Sequence, residues 1–254
     1  MSNTLAMIID FEATDVSKEA EATQLGWHDV SFNNDGDLIA DAVYHHSGKQ
    51  TICGHSRLCK PDRAISFGAM AVSHITHEDV NGMSSHKVVV PQYLPKGAAY
   101  IIGHNIDYDI QVAANAGVDT SQYKRICTQA LARKLLPDLD SHSLGALTYA
   151  INPELARKYC RNAHDAGWDV TFTLWLLEHL CDIANITSME QLYLASEDAR
   201  IPTVFTFGKH AGKLITDVRR TDPSYLRWIV KNHDNAYLVK ACLDVITRNI
   251  DINV

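Results

Sequence analysis

Three short segments of the sequence carry residue types suited to metal-assisted hydrolysis. Asp10 and Glu12 stand two positions apart, Asp109 closes the segment His-Asn-Ile-Asp-Tyr-Asp, and His164 and Asp169 stand five positions apart. Carboxylate oxygens are the ligands that hard divalent cations prefer. An imidazole titrates at about pH 6.5 and can move a proton near neutral pH. Together, these residues could hold metal ions and activate a water molecule.

Each segment also has an ordinary structural explanation when it is taken alone. Two acids at i and i+2 share one face of a strand and are common on solvated surfaces. An acid such as Asp109 in the first turn of a helix is explained by capping or by the helix dipole. A single histidine such as His164 is more often a surface or core residue than a catalytic one. The chemistry is therefore indicated by the combination of segments, not by any one of them.

The hydrophobic pattern places the three segments at the borders of predicted elements. The apolar run from Leu5 to Asp10 predicts a buried strand, and the alternation that follows predicts two more strands around the turn residues Asn33–Gly36. Helical spacing is strongest over residues 163–183. Strands alternating with helices predict an α/β fold with a mixed sheet. The predicted strands are 5–10, 24–33, 37–44, 98–103 and 126–128; the predicted helices are 66–72, 108–116, 128–136, 142–150 and 163–183, with a polar loop over 45–63.

Composition and charge divide the chain into a larger acidic part and a smaller basic part. The formal net charge is −7, yet residues 203–254 hold eight Lys and Arg against five Asp and Glu. We therefore predict a domain over 1–185, a linker over 186–202 and a small basic and aromatic module over 203–254. Cations interleaved with aromatic rings suit contact with DNA. Because the excess positive charge is local to this segment, we favour that interpretation over a packed module with solvated charges.

Several classes of protein are disfavoured by the sequence. The chain has 254 residues of which 46% are hydrophobic, which is typical of a globular fold and not of disorder. It shows neither an apolar run long enough for a membrane span nor a secretory signal at its start, so we expect a cytoplasmic protein without membrane contact. The six cysteines form no CxxC pair. Cys53, His55 and Cys59 could in principle meet zinc, but they lack a recognisable fourth ligand.

The order and spacing of the segments resemble a known enzyme family. Asp10-x-Glu12, His104-Asn105-x-x-x-Asp109 and His164-x-Ala166-x-x-Asp169 resemble the three motifs of the DEDDh, or DnaQ-like, 3′→5′ exonucleases, and residues 71–76 resemble a further segment of that family. The stretches 56–66, 205–213 and 222–228 are similar to the bacterial exodeoxyribonuclease X branch. The resemblance implies a ribonuclease H-like fold, with a mixed five-stranded sheet flanked by helices and a small C-terminal module. The first motif departs from the family pattern at Ala13 and Asp15.

The resemblance also implies an activity and a set of roles. The four acids would hold two Mg²⁺ or Mn²⁺ ions, and His164 would act as general base. The enzyme would release 5′-mononucleotides from the 3′ end of single- or double-stranded DNA, in DNA repair or recombination. Protein partners remain unknown. The acids are Asp10, Glu12, Asp109 and Asp169, and the residues expected near the 3′-terminal nucleotide are Thr14, Val16, Ile75 and Asn105.

Other functions remain open at this point. An RNA-trimming exonuclease or a proofreading subunit of a polymerase would carry the same motifs. A nucleic-acid-binding protein with the same fold and no activity is a more remote alternative, because all five expected active-site residues are present. An interaction module organised by zinc at Cys53, His55 and Cys59 is the most remote.

Overall fold

The computed structural model describes residues 6–41, 43–44, 50–97 and 99–247. Expectations for residues 1–5, 42, 45–49, 98 and 248–254 lie outside these ranges, including part of the predicted loop 45–63. By its internal contacts, the chain divides into two compact units, residues 1–196 and 197–254. No helix in the described ranges has the length and apolar character to cross a membrane.

A mixed β-sheet forms the centre of the first unit. Strand β1 runs antiparallel to β2 and parallel to β7, and β7 runs parallel to β8. The strand order is β3-β2-β1-β7-β8, and β6 pairs with β2 as well. Within the described ranges, the strands are β1 Ala6–Ala13, β2 Ala22–Phe32, β3 Leu38–Ala40, β4 Val43–Tyr44, β5 Gln50–Thr51, β6 His55–Leu58, β7 Ala99–Gly103 and β8 Tyr123–Cys127. The short pair β4-β5 forms a separate sheet.

The mixed sheet predicted from the sequence is confirmed, but its strand count is corrected. Among the described residues the main sheet has six strands, not five. The additional strand is β6, which pairs antiparallel with residues 24–27 of β2 inside the segment predicted to be a polar loop. Its sequence, His-Ser-Arg-Leu, has little apolar character and is only partly buried. Edge strands need no continuous apolar run, so the hydrophobic pattern did not mark it.

Helices cover both faces of this sheet. Residues at alternate positions of β1 (Met7, Ile9, Phe11 and Ala13) belong to one core cluster with residues of the helices α2 and α3. Helix α7, the longest in the described ranges, packs against β1 and β2. Within the described ranges, the helices are α1 Phe67–Ser73, α2 His86–Tyr93, α3 Asp107–Asn115, α4 Thr128–Leu135, α5 Leu144–Ile151, α6 Pro153–Tyr159, α7 Ala166–Ala184, α8 Met189–Ala199, α9 Ile215–Thr221, α10 Pro223–Asn232 and α11 Ala236–Thr247.

The segment predicted to be a linker is instead largely helical. Residues 189–199 form α8, in which Leu192 and Ser196 are buried. The Ser196 hydroxyl accepts a hydrogen bond of 2.8 Å from the backbone N–H of Cys127 at the end of β8. A buried helix face joined to the sheet in this way is part of the first unit, so residues 186–196 are not a free connection.

The second unit has its own small core. Phe205, Ile215, Leu226 and Cys242 are among its buried residues, which come from α9, α10, α11 and the segment before them. That segment folds back on itself, because the Phe205 backbone N–H donates to the Lys213 carbonyl at 3.0 Å. The unit therefore has a compact helical core of its own.

Candidate active site

Strand β1 presents the first two acids on one face of the sheet. Its odd-numbered residues from Met7 to Ala13 are buried in the core, whereas Asp10 and Glu12 are only partly buried. Period-two alternation accounts for this division. The β1–β2 pairing shifts register between Glu12 and Ala13, so the ladder becomes irregular directly after the second acid. Both carboxylates therefore lie near the end of the strand, where pairing ceases to be regular.

Asp109 is brought to the same end of β1 by the helix that follows the neighbouring parallel strand. Strand β7 ends at Gly103, and Asn105 turns the chain into α3 through a left-handed backbone conformation with φ 70°. Asp109 lies in the first turn of α3 and is 4% exposed. Its Oδ1 accepts a 3.1 Å hydrogen bond from the backbone N–H of Phe11, which lies between the two acids of β1. A Cβ on Gly103 would lie 2.7 Å from Cδ1 of Ile106 and 3.2 Å from the Ile9 carbonyl oxygen, so the turn is closely packed against β1.

The start of α7 brings the third motif to the same place. Helix α7 begins at Ala166, so His164 precedes it, whereas the sequence predicted a helix from residue 163. His164 adopts a left-handed conformation with φ 67°. Its backbone N–H donates to Oδ2 of Asp169 at 3.0 Å. Ligand atoms of Glu12, His164 and Asp169 all lie within 4.8 Å of one another.

Gln24 and Asp165 hold the beginning of α7 over the sheet. Asp165 caps the helix by accepting hydrogen bonds from the backbone N–H groups of Gly167 and Trp168. Gln24 of β2 donates to Asp165 Oδ2 at 2.9 Å and accepts from the Ala166 N–H at 3.0 Å. Asp165 is half-buried and has this structural role, although no motif in the sequence marks it. Aspartate is a preferred N-cap residue, which is the local signal that could have identified it.

Two glycines allow the helix to approach this closely. A Cβ on Gly26 of β2 would lie 2.1 Å from the Ala166 carbonyl oxygen, and one on Gly54 would lie 2.5 Å from the Val170 side chain. The Gly54 backbone N–H also donates to the Gly167 carbonyl at 3.0 Å. The distance of His164 and Asp169 from β1 therefore depends on residues that carry no side chain.

The acids of this site repel one another in the absence of a cation. Burial, aided by the negative charges of Asp169, Asp165 and Asp109, raises the pKa of Glu12 to about 8. Burial also raises the pKa of Asp109 to about 8 and that of Asp169 to about 7. The pKa of Asp10 lies well above its ordinary value, because desolvation and then the charges of neighbouring carboxylates disfavour its ionised form. Burial and like charge both disfavour ionised carboxylates unless a cation is present.

The donor set fits divalent metal ions. Four carboxylates supply oxygen ligands, which are the type that hard divalent cations prefer, and their mutual repulsion would be relieved by positive charge between them. Asp109 and Asp169 are already oriented by backbone N–H groups. The site is thus compatible with divalent metal binding.

Comparisons with known proteins identify the family of this chain. The family described as exodeoxyribonuclease X-like C-terminal matches residues 205–234. The chain is 33% identical to exodeoxyribonuclease 10 of Escherichia coli strain K12 over 180 residues, which cover 71% of this chain and 78% of the relative. The chain belongs to the exodeoxyribonuclease X family. It is therefore a member of the DEDDh exonucleases, as its motifs predicted.

Solved structures of exonucleases share the fold of this chain. A structure of exonuclease X in complex with 5′-overhanging duplex DNA matches with a TM-score of 0.54 and 26% identity, covering 75% of this chain and 99% of that one. E. coli exonuclease I in complex with a dA16 oligonucleotide matches with a TM-score of 0.55 and 18% identity, covering 80% of this chain and 46% of that one. At such low identity, the second match shows a shared fold alone.

The four residues expected near a terminal nucleotide are placed differently from one another. Val16 is 94% exposed, and Asn105 is exposed at the start of α3. Thr14 is fully buried, and its hydroxyl accepts a hydrogen bond from the Glu21 N–H. Ile75 is 8% exposed and belongs to a small core cluster. That all four lie near a terminal nucleotide stays a prediction: the side chains of Val16 and Asn105 are exposed, whereas those of Thr14 and Ile75 are buried.

Two further sets of residues have structural roles. His104 bridges Thr128 Oγ1 at 3.1 Å and the His142 carbonyl at 2.9 Å, so its ring has a structural role. Cys59 is fully buried in the core, and its thiol donates to the Ala22 carbonyl. His55 binds Asp41 at 2.7 Å and stacks on a tryptophan ring. Because Cys59 and His55 are engaged separately, a zinc site that joins them to Cys53 finds no support among the described residues.

Proposed function

We propose that this protein is a metal-dependent 3′→5′ exodeoxyribonuclease that releases 5′-mononucleotides from DNA. The observation that carries the proposal is the convergence of Glu12, His164 and Asp169 within 4.8 Å, beside Asp10 on β1 and Asp109 on α3, in a chain of the exodeoxyribonuclease X family. The residue types, their order and their positions at the ends of β1 and β7 all suit phosphodiester hydrolysis.

The metal ligands in this proposal are Asp10, Glu12, Asp109 and Asp169, and the ions are two Mg²⁺ or Mn²⁺. Bound ions of this kind supply a more acidic water and stabilise the charge of the attacking and leaving oxygens. The protein's own contribution is to fix the ligands before the ions arrive. The N–H groups of Phe11 and His164 orient two of the four carboxylates.

His164 is proposed as the general base that removes a proton from the attacking water. Its side chain is exposed, and a ring nitrogen lies within 4.8 Å of carboxylate oxygens of Glu12 and Asp169. An exposed imidazole outside the helix can approach both the water and the solvent, to which the proton must finally pass. A positioned base of this type contributes roughly two to four orders of magnitude to the rate.

DNA with a 3′ end is the proposed substrate. The E. coli relative is named an exodeoxyribonuclease, and the similar exonuclease X was solved with 5′-overhanging duplex DNA. Repair or recombination in the cytoplasm is the proposed setting. An RNA-trimming exonuclease and a proofreading subunit remain the alternatives within the family, and a non-catalytic binding protein is more remote.

The C-terminal module is proposed to contact DNA through an exposed aromatic and basic surface. Trp228 is 53% exposed and stacks on Tyr225, while Phe207 is 40% exposed and stacks on His233. Arg227 is exposed on α10 next to Trp228. Stacking rings beside cations suit single-stranded nucleic acid. Phe205 is fully buried in the core of the unit, so it does not contribute to this surface.

Degradation of substrates labelled near the 3′ end tests the proposal. Single-stranded DNA, duplex DNA and RNA are incubated with wild type, with Asp10→Ala and with Glu78→Gln, an exposed acid outside the site, in Mg²⁺, Mn²⁺ or EDTA. We expect mononucleotide release from DNA that requires metal, disappears in Asp10→Ala and persists in Glu78→Gln. Faster trimming of RNA would favour the RNA alternative, preference for a mismatched primer end would favour proofreading, and no release in any metal would favour a binding protein.

A further inference from the structure

A second group of potential metal ligands lies outside the proposed active site. Glu21, Asp62 and His86 each offer a ligand atom, and these atoms lie within 4.8 Å of one another. Glu21 directly precedes β2, Asp62 follows β6, and His86 is the first residue of α2. Three separate segments of the first unit thus bring two carboxylates and one imidazole to one place.

His86 is the residue that distinguishes this group from an ordinary acidic surface. Its side chain is fully buried, and within the described part of the chain neither ring nitrogen has a hydrogen-bond partner. Nε2 lies 3.7 Å from Oε2 of Glu21, which is longer than a hydrogen bond of about 2.7–3.2 Å. A buried polar group without a partner destabilises the folded state. The ring is therefore directed at Glu21 without a direct bond to it.

Glu21 is held firmly in a position to act as a ligand. Its side chain is 12% exposed. Oε2 accepts hydrogen bonds of 2.6 and 2.8 Å from the backbone N–H groups of Asp62 and Arg63. The His86 backbone N–H donates to the Lys60 carbonyl at 2.9 Å, which fixes the start of α2 to the same segment. These bonds leave Asp62, with a side chain 58% exposed, as the solvent-facing member of the group.

We propose that Glu21, Asp62 and His86 form a three-ligand site for a divalent transition metal of the zinc class, with a water molecule as the fourth ligand. Zinc accepts both imidazole nitrogen and carboxylate oxygen at about 2.0–2.2 Å, and a tetrahedral arrangement separates its ligands by about 3.4 Å. The 3.7 Å spacing of His86 and Glu21 is close to this value. Imidazole favours zinc over magnesium, so the site differs in metal preference from the all-carboxylate cluster.

The ion would tie the segment Lys60–Arg63 to the loop between β1 and β2. Arg63 is already joined to this loop, because its guanidinium lies 3.6 Å from Asp15 and donates to the Glu19 carbonyl. Lys87 competes for the site, since its Nζ binds Oδ2 of Asp62 at 2.7 Å. An entering ion must displace this ammonium group or use the other oxygen of Asp62.

Zinc binding to the full chain tests the proposal independently of the proposed activity. The protein carries Asp10→Ala and Asp169→Ala so that the acidic cluster does not compete, and bound Zn²⁺ is measured by equilibrium dialysis and elemental analysis. We expect one saturable ion per chain, bound at least about tenfold more weakly after His86→Leu or Glu21→Gln. The exposed neighbours His77→Leu and Glu78→Gln serve as matched controls and should bind as the parent does.

Further measurements separate loss of a ligand from loss of folding. Thermal unfolding without metal should show His86→Leu at least as stable as its parent, since the substitution removes an unpartnered ring. Cobalt(II) should give visible bands that disappear in this variant. Lys87→Met should bind zinc more tightly, by up to roughly fivefold, because the ammonium group that competes for Asp62 is removed. Equal zinc binding by the parent and its His86→Leu derivative would overturn the proposal. So would a structure with zinc present in which a bridging water, and not the ion, joins the three residues.

Discussion

The mutual repulsion of the active-site acids predicts that the metal-free protein loses stability as the pH rises. Burial and neighbouring carboxylates raise the pKa of Glu12 and of Asp109 to about 8 in the folded chain. In the unfolded chain these groups ionise at about pH 4. Between these values the folded state retains protons that the unfolded state has lost, so each rise in pH favours unfolding.

The window from pH 6.5 to pH 8 isolates this effect. Burial lowers the pKa of His104 to about 4 and lowers that of His86 as well. These rings therefore oppose the trend only below the ordinary histidine pKa of about 6.5. When the coupled cluster as a whole retains one proton that the unfolded chain has lost, the free energy of unfolding falls by about 1.4 kcal/mol per pH unit, or by about 2 kcal/mol across the window. For a protein of this size we expect a fall in Tm of about 4–8 °C.

The assay is thermal unfolding in EDTA at pH 6.5, 7, 7.5 and 8, repeated with excess Mg²⁺. Asp10→Asn removes one of the repelling charges, so its Tm in EDTA should be higher at pH 8 and fall less steeply than that of wild type. Glu78→Gln, an exposed acid, should follow wild type. With Mg²⁺ the trend should reverse, because the ion binds the ionised carboxylates. A wild-type Tm in EDTA that is level or rises over this window, or an equal slope in Asp10→Asn, would refute the reasoning.

Three substitutions test other parts of the site and the module. His164→Ala should lower turnover by roughly two to four orders of magnitude while DNA affinity, measured by fluorescence anisotropy in Ca²⁺, is retained; lost affinity would contradict a role as base. Gly26→Ala should destabilise the fold by about 1–3 kcal/mol and slow catalysis. Gly145→Ala, where an added Cβ would meet open space, should do neither. Equal effects of the two substitutions would show that Gly26 does not determine how closely α7 approaches β2. Trp228→Ala should weaken single-stranded DNA binding by about 1–3 kcal/mol, and unchanged affinity would remove the module's stacking role.

The sequence predicted the parts of the fold that local patterns encode. The apolar run before Asp10, the turn at Asn33–Gly36 and the helical spacing after Asp169 each gave an element close to its observed position. The motifs then predicted the family, because their order is more specific than any one of them. Helix α8 was missed, because its polar and acidic residues weaken the hydrophobic pattern over residues 186–202.

Long-range contacts account for what the sequence did not predict. The hydrogen bonds between Gln24 and the start of α7 join residues about 140 positions apart, and no local pattern marks them. Strand β6 depends on pairing with β2 and not on its own composition. The burial of Thr14 and Ile75 likewise results from tertiary packing. A motif predicts which residues take part, but the fold decides which of their atoms are accessible.

The bond between the His164 backbone and Asp169 has a consequence for how variants are interpreted. One carboxylate both offers a ligand for metal and holds the backbone of the proposed base, in a left-handed conformation that L-residues rarely adopt. Replacing Asp169 therefore alters two functions with a single change. Rate losses in Asp169 and His164 variants should be strongly non-additive in a double-mutant cycle, so neither residue has a separable share of the rate.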